Sequence, residues 1–164
     1  MTATIAGAVT AYLAGVRAAL ANKQGSDGQP VLVTLGDPGQ FQPASVVGVA
    51  MTVRDVTVRP TMAPTRSREA TLEIDSVISV YVAGDETVQQ AANDGALDLF
   101  ATVEAWVRTS PNEKLSGNAR DAYMSGFTFN VAIATQAFDD PEIPPVPTGR
   151  IAEITATVTV YVRY

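Results

Sequence analysis

The sequence predicts an α+β domain in which two main helices pack on one face of a mainly antiparallel, curled β-sheet with long hairpins. Two segments repeat apolar residues at helical spacing, four longer segments alternate apolar and polar residues, and turn residues separate them. Helices segregated from a run of antiparallel strands are typical of the α+β class. The 164 residues are expected to form a single domain with its own core.

The chain is predicted to begin with a helix and a short strand. Apolar residues at helical spacing indicate a helix over about 4–22, for which Thr2 or Thr4 can provide the N-cap. The apolar run over 31–35 indicates a short buried strand, and the Gly-Asp-Pro-Gly sequence over 36–39 indicates a turn.

A long hairpin is predicted to follow, with strands over about 45–59 and 69–82 joined by an extended loop over about 60–68. The apolar alternation changes phase within the first strand, which predicts a β-bulge near Arg54 and Asp55. Leu72, Ile74 and Ile78 occupy one face of the second strand and alternate with polar residues on the other.

The second half of the chain is predicted to hold one long helix and a second hairpin. The helix begins at Asp85 and ends before Pro111. A strand over about 119–135 and a final strand ending near Val162 then flank a proline-rich connection over about 137–149.

Composition excludes several function classes. The chain has no cysteine and no histidine, so thiolate chemistry and the commonest general base and metal ligand are missing. A net charge of −6 disfavours tight binding to a phosphate backbone. No apolar stretch approaches the roughly 20 residues of a membrane span. We therefore expect no enzyme activity, no catalytic residue, no cofactor, no bound metal and no membrane partner.

Two groups of carboxylates were candidates for chemistry. Glu73 and Asp75 share a strand face like a catalytic pair, but without a histidine or cysteine they are better interpreted as exposed strand residues. Asp139, Asp140 and Glu142 have the oxygen ligands that calcium prefers, but the surrounding prolines favour a stiff extended connection.

The predicted strands are long for a domain of this size. Residues 69–82 would span roughly 45 Å at about 3.3 Å per residue, whereas the domain diameter is only about 40 Å. The hairpins must therefore curl or project, and a projecting hairpin exposes backbone edges that a neighbouring subunit can cover. The alternative is a monomer whose sheet curls and encloses a ligand pocket.

The chain's size, its element order and its two long hairpins resemble the tail-terminator family of long-tailed bacteriophages. No motif supports this resemblance, which covers nearly the whole chain. It implies a structural virion protein at the head-proximal end of the tail, forming a hexameric ring that caps the tail tube. The implied partners are other copies of the chain, the tail tube protein and a head-completion or neck protein, with DNA only passing through the channel. Head-completion and tube subunits share a similar outline and are the nearest alternatives.

The resemblance directs attention to two sets of residues. The polar loop near 60–68 occupies the place where such proteins extend an arm, so its residues are interface candidates: Arg59, Met62, Arg66 and Arg68. Acidic residues are candidates for lining the channel and repelling DNA, with an ordinary solvated surface as the alternative. They are Asp94, Asp98, Asp139, Asp140 and Glu142. Asp94 and Asp98, one helical turn apart, have no partner predicted from the sequence.

Overall fold

The structure is a computed structural model that describes residues 4–39, 43–60, 68–136 and 146–163. Its helices are α1 (Ile5–Leu20) and α2 (Gln89–Arg108). Its strands are β1 (Leu32–Leu35), β2 (Ser45–Pro60), β3 (Arg68–Ala83), β4 (Asp121–Gln136) and β5 (Val146–Arg163). Short 3₁₀ segments at Glu86–Val88 and Asn112–Gly117 flank α2. The predicted α+β class, with two main helices on one face of the sheet, is confirmed.

Both helices form where capping groups and apolar spacing coincide. The Thr4 hydroxyl accepts a hydrogen bond from the Gly7 N–H at 2.9 Å, which confirms the predicted N-cap of α1. The Asp85 carboxylate accepts the Thr87 N–H at 2.9 Å in the 3₁₀ turn that leads into α2. Each helix buries one stripe against the sheet. The stripes comprise Ala8, Tyr12, Val16 and Leu20 in α1, and Ala92, Ala96, Leu99, Phe100, Val103 and Val107 in α2.

The five strands form one open sheet in the order β1-β2-β3-β5-β4. Neighbouring strands are antiparallel except β1 and β2, which run parallel. α2 separates β3 from β4 along the chain, and β5 lies between these two strands in the sheet. β1 and β4 are therefore the two outermost strands of the described sheet.

The core lies between the helices and one face of the sheet. Alternate residues of β3 and β5 are buried there, as the apolar alternation predicted. They are Ala70, Leu72, Ile74, Ile78 and Val80 in β3, and Ala152, Ile154, Ala156, Val158, Val160 and Val162 in β5. Trp106 of α2 packs against α1, with its ring occupying the space that a side chain at Gly15 would fill.

Four irregularities bend the long strands within the described residues. The pairing of β2 with β3 shifts between Asp55 and Thr57, which confirms the bulge predicted near Arg54 and Asp55. A second shift, between Gly48 and Thr52, contains Ala50 with a φ of +55° and was not predicted. In β4 the pairing shifts between Met124 and Gly126 and again between Ala134 and Thr135. Bulges increase local twist, so these long strands curl.

The structure describes only parts of the two predicted extended loops, over about 60–68 and about 137–149. β2 extends to Pro60 and β3 begins at Arg68, and residues 61–67 lie outside the described residues. β5 begins at Val146, so 146–149 belong to a strand and not to the predicted proline-rich connection. That prediction was wrong because the start of β5 extends past the end of β3 and pairs with β4 alone, as Pro147 does with Thr135. A strand segment with a neighbour on one side only tolerates a proline, which cannot donate to the ladder.

No helix within the described ranges is both long and apolar enough to cross a membrane.

Candidate subunit-interaction surfaces

The edge strand β4 carries an apolar stripe, defined here as Phe127, Phe129, Val131 and Ile133. The bulge at Ser125 sets its face, because Phe127 and Phe129 then pair with Ala156 and Ile154, whose side chains are buried under the helices. The helix layer reaches only the start of the stripe, where the Phe100 and Phe127 ring centroids lie 4.8 Å apart. The four side chains remain 54%, 38%, 54% and 53% exposed, respectively. The apolar stripe is thus an uncovered extension of the core face.

Although bulges interrupt β4, this edge strand lacks, beyond its first residue, the charged residues and prolines that commonly protect such an edge. Natural edges are commonly blunted by charges, prolines or shortness, because their free backbone groups can pair with any passing strand. From Ala122 to Gln136 the strand has no charged residue and no proline, and it spans 16 residues. Within the described chain, no strand pairs with its outer edge.

The opposite edge of the sheet is formed by β1 and the start of β2. β1 has only four residues, and the Arg17 Nε donates a hydrogen bond to the Val33 carbonyl at 3.3 Å. This edge nevertheless exposes large apolar residues: Leu35 is 59% exposed, Met51 40% and Val53 41%. The two sheet edges thus differ in length and residue type, although both are largely uncharged and partly apolar.

The loop before β1 is tied to the body by polar contacts. The Asp27 carboxylate accepts hydrogen bonds from the backbone N–H groups of Ala44 and Gln29, both at 3.0 Å. The bond from Ala44, followed by that from Gln29, lowers the pKa of Asp27. The Ser26 hydroxyl donates to the Tyr81 carbonyl at 2.8 Å. These contacts hold the loop at a fixed place beside the β1 edge.

The sheet face opposite the helices is polar and rich in carboxylates, and it is called here the helix-free face. Its acidic residues are Glu69, Glu73, Asp75, Asp121 and Glu153. Arg54 Nη2 lies 3.3 Å from Glu73 Oε2 and 3.0 Å from Asp75 Oδ2. The Thr157 hydroxyl donates to Asp75 Oδ1 at 2.7 Å. Glu73 and Asp75 therefore belong to a cross-strand ion-pair network, which supports their interpretation as strand residues.

Two tyrosines stand at one end of the helix-free face. The rings of Tyr123 and Tyr161 have centroids 6.1 Å apart, and their hydroxyl oxygens are 3.4 Å apart. The hydrogen bond with Tyr123 raises the pKa of Tyr161. Nearby, a groove of about 510 Å³ is lined by residues that include Glu69, Arg120 and Asp121. Arg120 and Glu69 form an ion pair at 3.7 Å across it.

Two of the predicted interface arginines, Arg59 and Arg68, lie where the end of β2 pairs with the start of β3. Arg59 pairs with Glu69, and Arg68 pairs with Pro60. The structure thus brings the two positions into adjacent rows of one ladder. Their side chains, and all of Met62 and Arg66, lie outside the described part of the structure.

Of the predicted channel-facing acids, the two that the structure describes do not lie on the helix-free face. Asp94 and Asp98 are exposed residues of α2, which packs on the other face of the sheet. The expectation that Asp98 has no partner was wrong, because Lys23 Nζ approaches its carboxylate at 2.7 Å. Helical spacing could not reveal a partner 75 residues away. Asp139, Asp140 and Glu142 fall outside the described residues.

Sequence reasoning missed the apolar stripe as a surface, although it identified the strand. The absence of charge across β4 gave no signal of exposure, because edge strands usually carry charges or prolines and an uncharged apolar strand is typical of a buried position. Among the described residues, no group of three His, Cys, Asp or Glu side chains is arranged to hold a metal ion.

Neither a protein-family model nor a curated protein sequence matches this chain.

Proposed function

We propose that this chain is a structural subunit of a ring of six identical copies in the tail of a long-tailed bacteriophage. The ring caps the tail tube and joins it to the head or neck. The observation that carries the proposal is the pair of unlike, partly apolar edges on one open sheet. Head-to-tail contacts between unlike surfaces generate rings when the rotation between subunits closes.

The assignment to a phage tail rests on resemblance in architecture. The element order and the two long hairpins are those that suggested the tail-terminator family, and the hairpin strands have 16 to 18 residues each. A head-completion or tube subunit would show the same edges, so the position of the ring along the tail is the second part to test.

The helix-free face is the surface that suits a DNA channel. It carries five carboxylates and fewer arginines: Arg54 and Arg120 pair with three of the carboxylates, and Arg163 lies on the same face opposite Glu69. A wall with excess negative charge repels the DNA backbone and lets it slide. This assignment replaces Asp94 and Asp98, on α2, as the acids nearest to the DNA.

Cryo-electron microscopy of tailed particles assembled with this chain tests the proposal. We expect a sixfold ring at the head-proximal end of the tube, and particles assembled without the chain should have tubes of irregular length. A sixfold ring elsewhere in the tail would assign the chain to the related neck or tube subunits. Absence of the chain from particles, together with a purified protein that stays monomeric when mixed with tail tubes, would overturn the proposal.

A further inference from the structure

We infer that the ring closes by β-strand addition, in which the outer edge of β4 pairs antiparallel with the outer edge of β1 in the next copy. This inference rests on the proposed ring and specifies its subunit contact. The occupant of the uncharged β4 edge is therefore a second copy of this chain.

Strand directions permit this contact without turning a copy over. β2 runs opposite to β3, β3 opposite to β5, and β5 opposite to β4. β1 runs parallel to β2, so β1 and β4 run in opposite directions. A copy placed beside another by rotation about an axis along the strands therefore presents β1 antiparallel to β4. Its helices also stay on the same side of the joined sheet.

The two edges lie at the same height along the strands. One cross-strand row runs Thr34–Gly48–Val77–Thr155–Thr128, and the next runs Val33–Val47–Ile78–Ile154–Phe129. A neighbour placed without a shift along the strands thus sets Thr34 opposite Thr128 and Val33 opposite Phe129. In a ring whose strands run along its axis, no copy rises relative to the next, so the matching heights of the two edges are compatible with strand addition.

The outer edge of β1 offers backbone groups to a neighbour at Val33 and Leu35, whereas the preceding Val31 N–H already donates to the Lys23 carbonyl at 3.3 Å. Gly36 N–H donates to the Val49 carbonyl at 2.7 Å, so alternate residues of this segment point toward β2. Val33 and Leu35 then direct their backbone groups to the outer edge. Arg17 contacts the Val33 carbonyl from that side, and a carbonyl has a second lone pair for another donor.

Apolar side chains match across the same contact. The apolar stripe would lie beside Leu35, which is 59% exposed, and beside Val31 and Val33, which are partly buried against the core. A symmetric contact between two β4 strands would cover the stripe but leave Leu35 exposed at the other edge. The head-to-tail contact covers residues at both edges, and this favours it over a two-fold dimer.

Cysteine cross-linking tests the contact directly, because the natural chain contains no cysteine. The variant Thr34→Cys/Thr128→Cys places one thiol on each edge, within the same row. Directly opposite residues of antiparallel strands have Cα atoms about 4.5–5.5 Å apart, which suits a disulfide. We expect mild oxidation to produce a ladder of covalent oligomers up to the closed ring on a non-reducing denaturing gel.

Two controls separate the alternatives. Thr128→Cys alone is expected to stay uncross-linked, whereas a covalent dimer of that single variant would show two-fold pairing of β4 and overturn the inference. Ala101→Cys/Thr128→Cys, with one thiol on the exposed side of α2, should also give no ladder. A sixfold ring in electron micrographs without any ladder from the edge pair would overturn strand addition while the proposed function stands.

A charge placed on the stripe provides a second measurement. Val131→Lys introduces a charge where the contact excludes water, and we expect ring assembly to weaken at least about tenfold. The matched control is Asn130→Lys, which adds the same charge on the other face, opposite Glu153, and should assemble like the wild type. Circular dichroism verifies that both variants fold, since both positions are exposed. Equal assembly of the two variants would contradict the inference.

Discussion

β4 and β5 are neighbouring strands with similar apolar content, yet one is exposed and the other is buried. Six residues of β5 on the helix side are at most 1% exposed, whereas the apolar stripe beside them in β4 is at least 38% exposed. The strands differ in how far the helix layer covers them, because α2 crosses β5 and reaches only the beginning of β4. Burial in this sheet is therefore set by the width of the helix layer.

The same comparison separates stability from assembly. Residues under the helices lose their water contacts when one copy folds, so they stabilise the monomer. The apolar stripe contributes this stabilisation from water exclusion only when another surface covers it. Four tests, which use six variants, measure how sharply this division holds.

The largest expected effect comes from truncating the same residue type in both strands. Ile154→Ala removes a fully buried side chain, and we expect it to lower the free energy of unfolding by about 2–5 kcal/mol. Ile133→Ala, at a position that is 53% exposed, should cost less than about 1 kcal/mol. Urea unfolding of monomeric protein measures both. Equal losses would show that the apolar stripe already belongs to the core of the monomer.

A smaller effect on stability is expected at high pH from Tyr12, a completely buried residue of α1. Burial raises its pKa from 10.0 to about 12. Because the folded chain holds this proton more tightly than the unfolded chain, the contribution is fully present below pH 10 and is lost as pH rises through 12. The loss amounts to about 2–3 kcal/mol.

Tyr12→Phe cannot ionise, so its free energy of unfolding should fall less steeply than that of the wild type between pH 10 and 12. Near neutral pH the variant should differ from wild type by less than about 1 kcal/mol, because the hydroxyl, although near Ser76, has no hydrogen bond of normal geometry among the described residues. Parallel pH curves for the two proteins would contradict the buried state of Tyr12.

Two glycines compare the crowded helix layer with the open edge. A Cβ at Gly15 would lie 1.8 Å from Trp106 Cζ2, so Gly15→Ala must displace the indole ring. We expect a loss of about 1–3 kcal/mol in stability. Gly126→Ala in β4 meets nothing within 4 Å and should change stability by less than about 0.5 kcal/mol. Thermal unfolding of both variants measures this difference. A similar decrease in melting temperature for the two variants would contradict the prediction.

The smallest expected effect lies on the helix-free face. Arg54→Ala removes a partly exposed arginine that contacts Glu73 and Asp75. Exposed ion pairs contribute about 0–1 kcal/mol and weaken with salt. We expect a loss within that range at low ionic strength and a smaller one in high salt, measured by urea unfolding. A loss that persists in high salt would mean that Arg54 supports the sheet by packing.

The elements of the fold were predictable because each depends on local patterns. Thr4 caps α1, Leu72 and Ile74 alternate with polar residues in β3, and the phase change near Asp55 marks a real bulge. The start of β5 was not predictable, since a strand accepts Pro147 only where a neighbouring strand is missing on one side, and the sequence does not show where β3 ends beside β5. Nor was the second bulge, because a positive φ at Ala50 arises from tertiary context.

The candidate surfaces were less predictable than the fold. Phe127, Phe129, Val131 and Ile133 read as an ordinary buried strand, and only the position of α2 leaves them exposed. Lys23 and Asp98 come together across 75 residues, a distance that no helical or strand period spans.

The sequence by itself determined the element order, the caps and the two faces of the long strands, because these follow from interactions between residues close along the chain. The tertiary structure alone decided which strands became edges and which apolar residues stayed uncovered. Whether a strand lies at an edge depends on pairing between segments that are distant along the chain. β3, for example, pairs with β5, although α2 and β4 lie between them in the sequence. Exposure depends on how far the helix layer extends over the sheet.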